Sequence, residues 1–521
     1  MKQVLIPTKL DKAAADLLTK NGYHVVQDSE KSIEELVKLN PESEVLIVRS
    51  EKVTPEIIDS LPNLKLIVRA GAGYNTIDIK YARRKNIDVM NTPGANSNAV
   101  AEEVIAFMLA AYRNLLEGDC TTRAGFWEKK RLMGRELTGK TVGIIGMGNI
   151  GKLVHKRLAG FEMKFLAFDP VLSADLAEKL NVKLCSMEEI FSESDFVTLH
   201  IPETPETKGI INKALFERMK DGAVLINCAR AGIINEDDLR SVKKEKNIIF
   251  CNDVYPKDAP GEKSVTDIAD IMLPHLGAST VEANYNAAIK AAQQIIDFFE
   301  KGITNCVVNK GVPDGLDAGF QKLAFVLAKL AAAYLGPNSA PNLIETSFYG
   351  ELKAYAKWMT PSIAAGISHE AEYFMDESDA ENVLKERGII LENREPDDSK
   401  KYGESMTIDL IDSSNAKRVS VRGTIAENNL MITRLNDFDK LFLDATGNNL
   451  IVEYCDAPGM IGKIASILGN NKINIIDIRA PQNCNADKAL AIIKTNVPVE
   501  KSIIEKISKK VDAVNAFNVT F

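Results

Sequence analysis

The sequence predicts an α/β fold built on parallel sheets, and three observations carry that expectation. Short β-branched apolar runs alternate with helical patterns through the N-terminal and central parts of the chain, as βαβ units require. One such run, Thr141–Ile145, leads into Gly146, Gly148 and Gly151 in G-x-G-x-x-G spacing, then a helical pattern, then the run Phe165–Phe168 ending on Asp169. From Leu450 onward the rhythm changes to strand, helix, strand, strand, helix, strand.

In chain order, Lys2–Ile6 reads as a strand, Asp11–Lys20 as a helix and Tyr23–Gln27 as a strand. Val45–Val48 is a buried strand running into Arg49-Ser50, and Leu66–Val68 is another running into Arg69. Ala70-Gly71-Ala72-Gly73 follows. Open α/β sheets bind ligands at the carboxyl ends of their strands. Either arginine alone reads as a solvated loop residue; the two together beside a glycine loop point to an anion. Asn91–Ser97 is a turn cluster, followed by an apolar helix Ala99–Leu116 with Glu102 and Glu103 near its positive end. A helix so apolar is expected between domains or subunits. Lys129, Lys130 and Arg131 form a basic loop ahead of the glycine fingerprint.

Each part of the fingerprint has a mechanical role. Gly146 permits the tight turn, Gly148 lets the backbone approach a pyrophosphate, and Gly151 allows close packing of helix on strand. The helix start offers unpaired N–H groups to phosphate. Asp169 is placed to accept the ribose hydroxyls and would repel a 2′-phosphate, so the expected cofactor is NAD rather than NADP.

Four later strands end in residues suited to proton transfer and anion binding. Phe196–Leu199 ends at His200, Ala223–Asn227 at Arg230, Ile248–Cys251 at Asp253, and Ile271–Leu273 at His275. Hydride transfer to a nicotinamide asks the protein for an acid/base near neutral pH and a planar cationic clamp. Histidine and arginine supply these. Arg230, a carboxylate within Asp253–Glu262, and His275 form such a set; His275 as a mere strand cap is the bland alternative.

Composition narrows the classes. With 521 residues, three to four domains are expected. Net charge is −8, from 64 basic and 72 acidic residues, which invites neither nucleic acid nor an anionic membrane. Seven cysteines are scattered without C-x-x-C spacing, as in a reduced compartment. No signal-peptide pattern opens the chain, no apolar run of membrane-spanning length is expected, and no metal-ligand cluster stands out, so the chain reads as soluble and cytoplasmic.

LIVRSEKVT, VRAGAGYNTID, NTPGANSNAVAE, WEKKRLMGREL, VTLHIPETPETKGII, INCARAGIINEDDL and PHLGAST, with the Gly146 fingerprint, resemble the D-2-hydroxyacid dehydrogenase family over essentially the whole chain. The resemblance implies a Rossmann-type NAD-binding domain at 98–284 and a flavodoxin-like substrate domain at 1–97 plus 285–310. After a linker at Asn309–Asp314 it implies an α/β intervening domain at 315–445 and a βαββαβ ACT domain at 448–521. The implied reaction is NAD-dependent oxidation of 3-phospho-D-glycerate to 3-phosphohydroxypyruvate, the first step of L-serine biosynthesis. Arg230 would bind substrate, and His275 would take the hydroxyl proton. Arg49, Ser50, Arg69, Ala70 and Gly71 match substrate loops. Ala72, Asn149, Ile150, Asp169, Ile201, Cys228, Ala229, Arg230, Asp253, His275, Gly277 and Ala278 match cofactor contacts, and Lys129–Arg131 match a loop that reaches a neighbouring subunit.

The family carries glutamate where this chain has Asp258, with Ala259 inserted before Pro260. Asp258 is the favoured partner of His275, with Glu262 or weaker support as alternatives. In the C-terminal part, Phe320–Tyr334 reads as a helix and Met406–Ile411, Arg418–Thr424 and Asn429–Arg434 as strands. Lys417, Arg418, Arg422 and Arg434 read as a solvated face more than an anion patch. Tyr454, Asp456 and Asn474 match effector positions of ACT domains, and serine is a possible effector. A homodimer or homotetramer is expected. The rivals are a D-2-hydroxyacid dehydrogenase acting on glyoxylate or another keto acid, and a non-catalytic NAD-sensing protein.

Overall fold

A computed structural model describes every residue except 314, 337–338, 369–370, 372–374, 401, 484 and 486. Asp314, the last residue of the expected linker, lies outside the described residues. The chain divides into two compact units, the first built mainly from Met1–Asp169 and Ala177–Gly311, the second mainly from Val312–Tyr373 and Glu377–Phe521.

The first unit holds two parallel sheets. Strands β1 (Gln3–Ile6), β2 (His24–Gln27), β3 (Val45–Val48), β4 (Leu66–Arg69) and β5 (Asp88–Asn91) lie in the order β2-β1-β3-β4-β5. Alternate residues of these buried strands feed two cores, Val4 and Ile6 on one face and Leu5 on the other. The helix Val281–Lys301 returns to the first of these faces. Ala287, Ala288, Ala291 and Ala292 form a small-residue stripe that lets it pack closely on Val4, Val45 and Val68.

The second sheet contains β6 (Thr141–Ile145), β7 (Lys164–Phe168), β8 (Lys183–Leu184), β9 (Phe196–Leu199), β10 (Val224–Asn227), β11 (Ile249–Asn252) and β12 (Ile271–Met272). Their order is β12-β11-β10-β9-β6-β7-β8, all parallel. The direction of strand succession reverses between β6 and β9, which opens a crevice at their carboxyl ends. The expected helix Ala99–Leu116 is interrupted. Asn114 adopts a left-handed conformation (φ +50°), ending one helix, Ser97–Arg113, and starting another, Leu115–Arg123. Asparagine tolerates that geometry better than most residues.

In the second unit, β13 (Leu343–Phe348), β14 (Ile390–Asn393), β15 (Ser405–Asp412), β16 (Lys417–Ala426), β17 (Asn429–Leu435) and β18 (Phe438–Asp444) form a mixed sheet in the order β14-β13-β15-β16-β17-β18. The helix Ala318–Leu335 packs on this sheet. Its 18 residues have mean hydropathy 1.3, long and apolar enough to cross a membrane, contrary to expectation. Over half of it is nonetheless buried, among them Leu323, Leu327 and Leu330, so its apolarity is accounted for by the core. The last four strands, β19 (Asn448–Cys455), β20 (Ile475–Arg479), β21 (Lys488–Thr495) and β22 (Asn515–Thr520), form an antiparallel sheet in the order β20-β21-β19-β22. Helices Met460–Asn470 and Lys501–Val511 cover one face through Ile464, Leu468, Ile503 and Ile507.

Candidate active site

The glycine loop after β6 is shaped by close approach. At Gly146 (φ +96°) a Cβ would stand 2.7 Å from the His200 carbonyl oxygen, and at Gly151 one would stand 2.1 Å from the Gly146 carbonyl oxygen. The helix Asn149–Leu158 therefore starts against the loop, with Asn149 and Ile150 in its first turn. Asp169 is buried at the end of β7, and its Oδ2 accepts the Met147 N–H at 2.7 Å, bracing the loop from the adjacent strand. Cradle, helix start and carboxylate fit a dinucleotide whose ribose carries free hydroxyls. His200 and Ile201 lie at the end of β9. Desolvation lowers the His200 pKa to about 3, so that imidazole stays neutral; it contacts Thr198 Oγ1 at 3.0 Å.

The loop after β10 is pinned by buried Asn227. Its Oδ1 accepts the Ala229 N–H at 3.0 Å, and its Nδ2 donates to the Arg230 carbonyl at 3.0 Å. Cys228 and Ala229 are buried, and burial holds the Cys228 thiol well above its usual pKa. The Arg230 side chain is exposed and lies close to Gly73 of the first sheet's glycine loop.

That loop is built around a second arginine. Arg69 Nε donates to the Arg49 carbonyl at 2.9 Å, and its guanidinium folds over Gly71, where a Cβ would stand 1.6 Å from it. Asn91 Nδ2 donates to the Ala72 carbonyl at 2.6 Å, and Thr92 N–H to the Gly71 carbonyl. Glu51 Oε2 accepts the backbone N–H groups of Arg49 and Ser50. Burial first, then the nearby charges of Arg49 and Arg230, lower the pKa of Arg69. Three guanidiniums from the ends of two sheets thus lie within electrostatic reach of one another, an arrangement suited to a multiply charged anion.

At the end of β12, His275 Nδ1 lies 2.7 Å from Asp258 Oδ2. Glu262 stands four residues further along the same exposed loop, and no contact joins it to His275 among the described residues. Asp253 is fully buried; its Oδ1 and Oδ2 accept the N–H groups of Leu276 (2.7 Å) and Gly277 (3.0 Å). Glu103 was expected only as a charge near a helix start. Its side chain instead points across to Asp253, and an i to i+4 reading of that helix face could have shown it on the buried side with Ala99. Ala278 follows on the same loop. Of the basic loop, Arg131 pairs with Glu117 at 2.6 Å and also with Glu128, while Lys129 and Lys130 are exposed.

In the second unit, Arg418, Arg422 and Arg434 line a cavity of about 640 Å³, with Arg418 still exposed to solvent. Arg394 and Arg418 reach Glu345 and Asp409, and Arg422 lies 3.9 Å over the Tyr402 ring. Lys417 donates elsewhere, to Ser339. Tyr454 is buried in the apolar core, whereas Asp456, which accepts from Gln482, and Asn474 are exposed.

Comparison with known proteins agrees with this architecture. Residues 105–277 match the model of the D-isomer specific 2-hydroxyacid dehydrogenase NAD-binding domain. D-3-phosphoglycerate dehydrogenase of Archaeoglobus fulgidus is 33% identical, covering 97% of this chain and 98% of its own. The Methanocaldococcus jannaschii protein of the same name is 32% identical, covering 98% of each. Among solved structures, D-lactate dehydrogenase of Escherichia coli superposes with a TM-score of 0.50 at 27% identity, over 59% of this chain and 98% of that one. On full-length similarity and on the site's construction, the chain belongs to the D-3-phosphoglycerate dehydrogenases of the NAD-dependent D-2-hydroxyacid dehydrogenase family.

Proposed function

We propose that the protein oxidises 3-phospho-D-glycerate to 3-phosphohydroxypyruvate with NAD. The observation that carries this reading is the pairing of an acid-supported imidazole, His275–Asp258, with the guanidinium group formed by Arg49, Arg69 and Arg230 at the sheets' carboxyl edges. NAD, held by the Gly146–Gly151 loop and Asp169, supplies the hydride acceptor. Arg230 clamps the substrate carboxylate, because only a guanidinium offers two parallel N–H donors. Arg49 and Arg69 meet the phosphate, with Ser50, Ala70, Gly71 and Ala72 shaping the loops around it. His275 receives the hydroxyl proton at Nε2 while Asp258 holds Nδ1. Ile201, Cys228, Ala229, Asp253, Gly277 and Ala278 form the remaining cofactor wall, largely through backbone.

Initial rates with NAD and 3-phosphoglycerate, D-glycerate or D-lactate test this. The expected result is a preference for the phosphorylated acid of about 100-fold or more in kcat/KM. Equal rates on unphosphorylated acids overturn it in favour of a general hydroxyacid dehydrogenase. NAD binding without any turnover favours an NAD-sensing protein.

The C-terminal βαββαβ module is read as an ACT-type regulatory domain. Asp456 stands exposed near the Gly459 turn that opens helix Met460–Asn470, which supports an amino-acid effector such as serine, with Tyr454 serving the core instead and Asn474 exposed at the other end of the sheet, where its N–H donates to Asn496 Oδ1. Calorimetric titration with L-serine tests it. Exposed Leu115, Leu116, Phe126, Trp127 and Met133 support assembly into a homodimer or homotetramer, checked by light scattering.

A further inference from the structure

His275 carries a backbone φ of +57°, a conformation that residues other than glycine rarely adopt. Something must hold it there. The two residues that follow are anchored by one side chain: Leu276 and Gly277 donate their N–H groups to the two oxygens of buried Asp253. Asp253 has then used both oxygens on the backbone, yet it shares its pocket with a second carboxyl. Glu103, from helix Ser97–Arg113, lies against it. A Cβ at Gly277 would stand 3.1 Å from Glu103 Oε2 and 3.4 Å from Asp253 Oδ2, so Gly277 sits where both acids converge. Glu103 Oε2 is buried and meets no N–H donor among the described residues, its neighbours being the Asp253 carboxyl and the Cys228 thiol.

Two adjacent buried carboxyls cannot both hold a negative charge at little cost. Asp253 accepts two N–H donors, which favours its ionised form; Glu103 has only the weaker Cys228 thiol as a donor, and burial beside Asp253 favours its acid form. We propose that Glu103 is a positioning residue that keeps a proton between itself and Asp253, so that Asp253 stays seated on the Leu276 and Gly277 amides and His275 stays aimed at the substrate. The inference rests on the dehydrogenase reading for its catalytic consequence, though not for its protonation chemistry.

The surroundings agree. Facing Glu103 are Asp253 from the end of β11 and Cys228 from the end of β10, with Cys251 behind Cys228 and His275 across Asp253. Burial, then the charge of Asp253, raises the Glu103 pKa to about 8. Above that pH, loss of the shared proton sets two carboxylates against each other beside Gly277, and the anchoring of the His275 loop weakens.

The test compares wild type, Glu103→Gln and Glu103→Leu. Glutamine reproduces a neutral carboxyl able to donate a hydrogen bond to Asp253; leucine fills the space without a donor. At pH 7 the expected kcat falls about tenfold or more in Glu103→Leu, with KM for the acid changed less than about threefold, and Glu103→Gln recovers most of that loss. Wild type shows an alkaline decline in NAD affinity centred near pH 8, absent from Glu103→Gln. Infrared difference spectra of the enzyme without substrate show a protonated-carboxyl band that titrates near the same pH and is missing from Glu103→Gln. Absence of that band, or identical pH profiles in wild type and Glu103→Gln, overturns the proposal even if Glu103→Leu folds poorly. If the band titrates as expected but 3-phosphoglycerate is not oxidised, the substrate reading fails and the shared proton stands.

Discussion

Asp258 Oδ2 lies 2.7 Å from His275 Nδ1, although the two side chains keep 56% and 45% of their surface in water. A pair so exposed adds about 1 kcal/mol or less to stability. Its consequence is directional: with Nδ1 turned to a carboxylate, Nε2 is the nitrogen left to exchange a proton with substrate. The loop that brings Asp258 there is closed by Lys263, whose Nζ donates to the carbonyls of Lys257 and Ala259 on either side of it. The lysine also lies 5.3 Å over the Tyr255 ring, and Tyr255 in turn donates to the Leu273 carbonyl at 2.8 Å. The residue inserted before Pro260 is thus accommodated by a cation that gathers the lengthened loop.

Asp258→Asn removes the charge while keeping the shape. The expected outcome is a kcat about tenfold lower with little change in NAD affinity, because an amide tolerates either imidazole tautomer where the carboxylate imposes one. Glu262→Gln is expected to match wild type. Steady-state rates and NAD fluorescence titration check both; the reverse ranking shows that the loop closes on Glu262 during turnover. His275→Ala is expected to lose about 100-fold or more in kcat with NAD affinity retained.

What could be read from the sequence follows from how local each signal is. Val45–Val48 and Thr141–Ile145 are short apolar runs whose burial on both sheet faces leaves little ambiguity, and they stand as strands with the same bounds. Strands β13, β14 and β18 were not anticipated. LIETSF, ILEN and FDKLFLD intersperse charged and polar residues that serve an ion-pair floor and a solvent edge, so no clean alternation survives. The choice between Asp258 and Glu262 was open because it depends on Lys263 and Tyr255 gathering the loop, a tertiary effect without a local pattern. Glu103 was hidden for a related reason: a glutamate near a helix start has an adequate explanation in the dipole alone.

The arginine cluster predicts a response to anions. Arg69 is half-buried beside two like charges, and an oxyanion placed among Arg49, Arg69 and Arg230 relieves that repulsion. Inorganic phosphate is therefore expected to raise the melting temperature of wild type more than that of Arg49→Gln. The same substitution is expected to raise KM for 3-phosphoglycerate by about tenfold, with kcat less affected, since the phosphate is remote from the bond that reacts. A phosphate effect of equal size in the variant shows that the anion binds elsewhere.

Gly151 gives a sharper steric test. The Cβ of Gly151→Ala would stand 2.1 Å from the Gly146 carbonyl oxygen and 3.2 Å from Ile144 Cγ2, and backbone cannot swing aside as a side-chain tip can. Moving helix Asn149–Leu158 off β6 to make room is expected to cost about 1–3 kcal/mol and to weaken NAD binding together with stability. Gly160→Ala meets nothing within 4 Å and is the control. Chemical denaturation and NAD titration of both variants check this; an unaffected Gly151→Ala shows that helix and strand are further apart than described.

Glu103 ties the active-site loop to the stability of the fold through pH. Its carboxyl is held at about 8, raised first by burial and then by Asp253, against 4.5 in the unfolded chain. Between those values the folded protein binds more protons than the unfolded one at this site, so stability falls as pH rises. The contribution is complete below about pH 4.5 and is lost as pH passes through about 8, a sign opposite to that of an ion-paired carboxylate whose pKa is lowered. Glu103→Gln has no proton to lose there. Melting temperatures of wild type and Glu103→Gln, measured at intervals from about pH 5 to 9, are therefore expected to diverge, with wild type losing stability relative to the variant as pH rises. The subtraction cancels every group the two proteins share, so parallel curves leave Glu103 ionised alongside Asp253 and remove the shared proton from the account of how His275 is held.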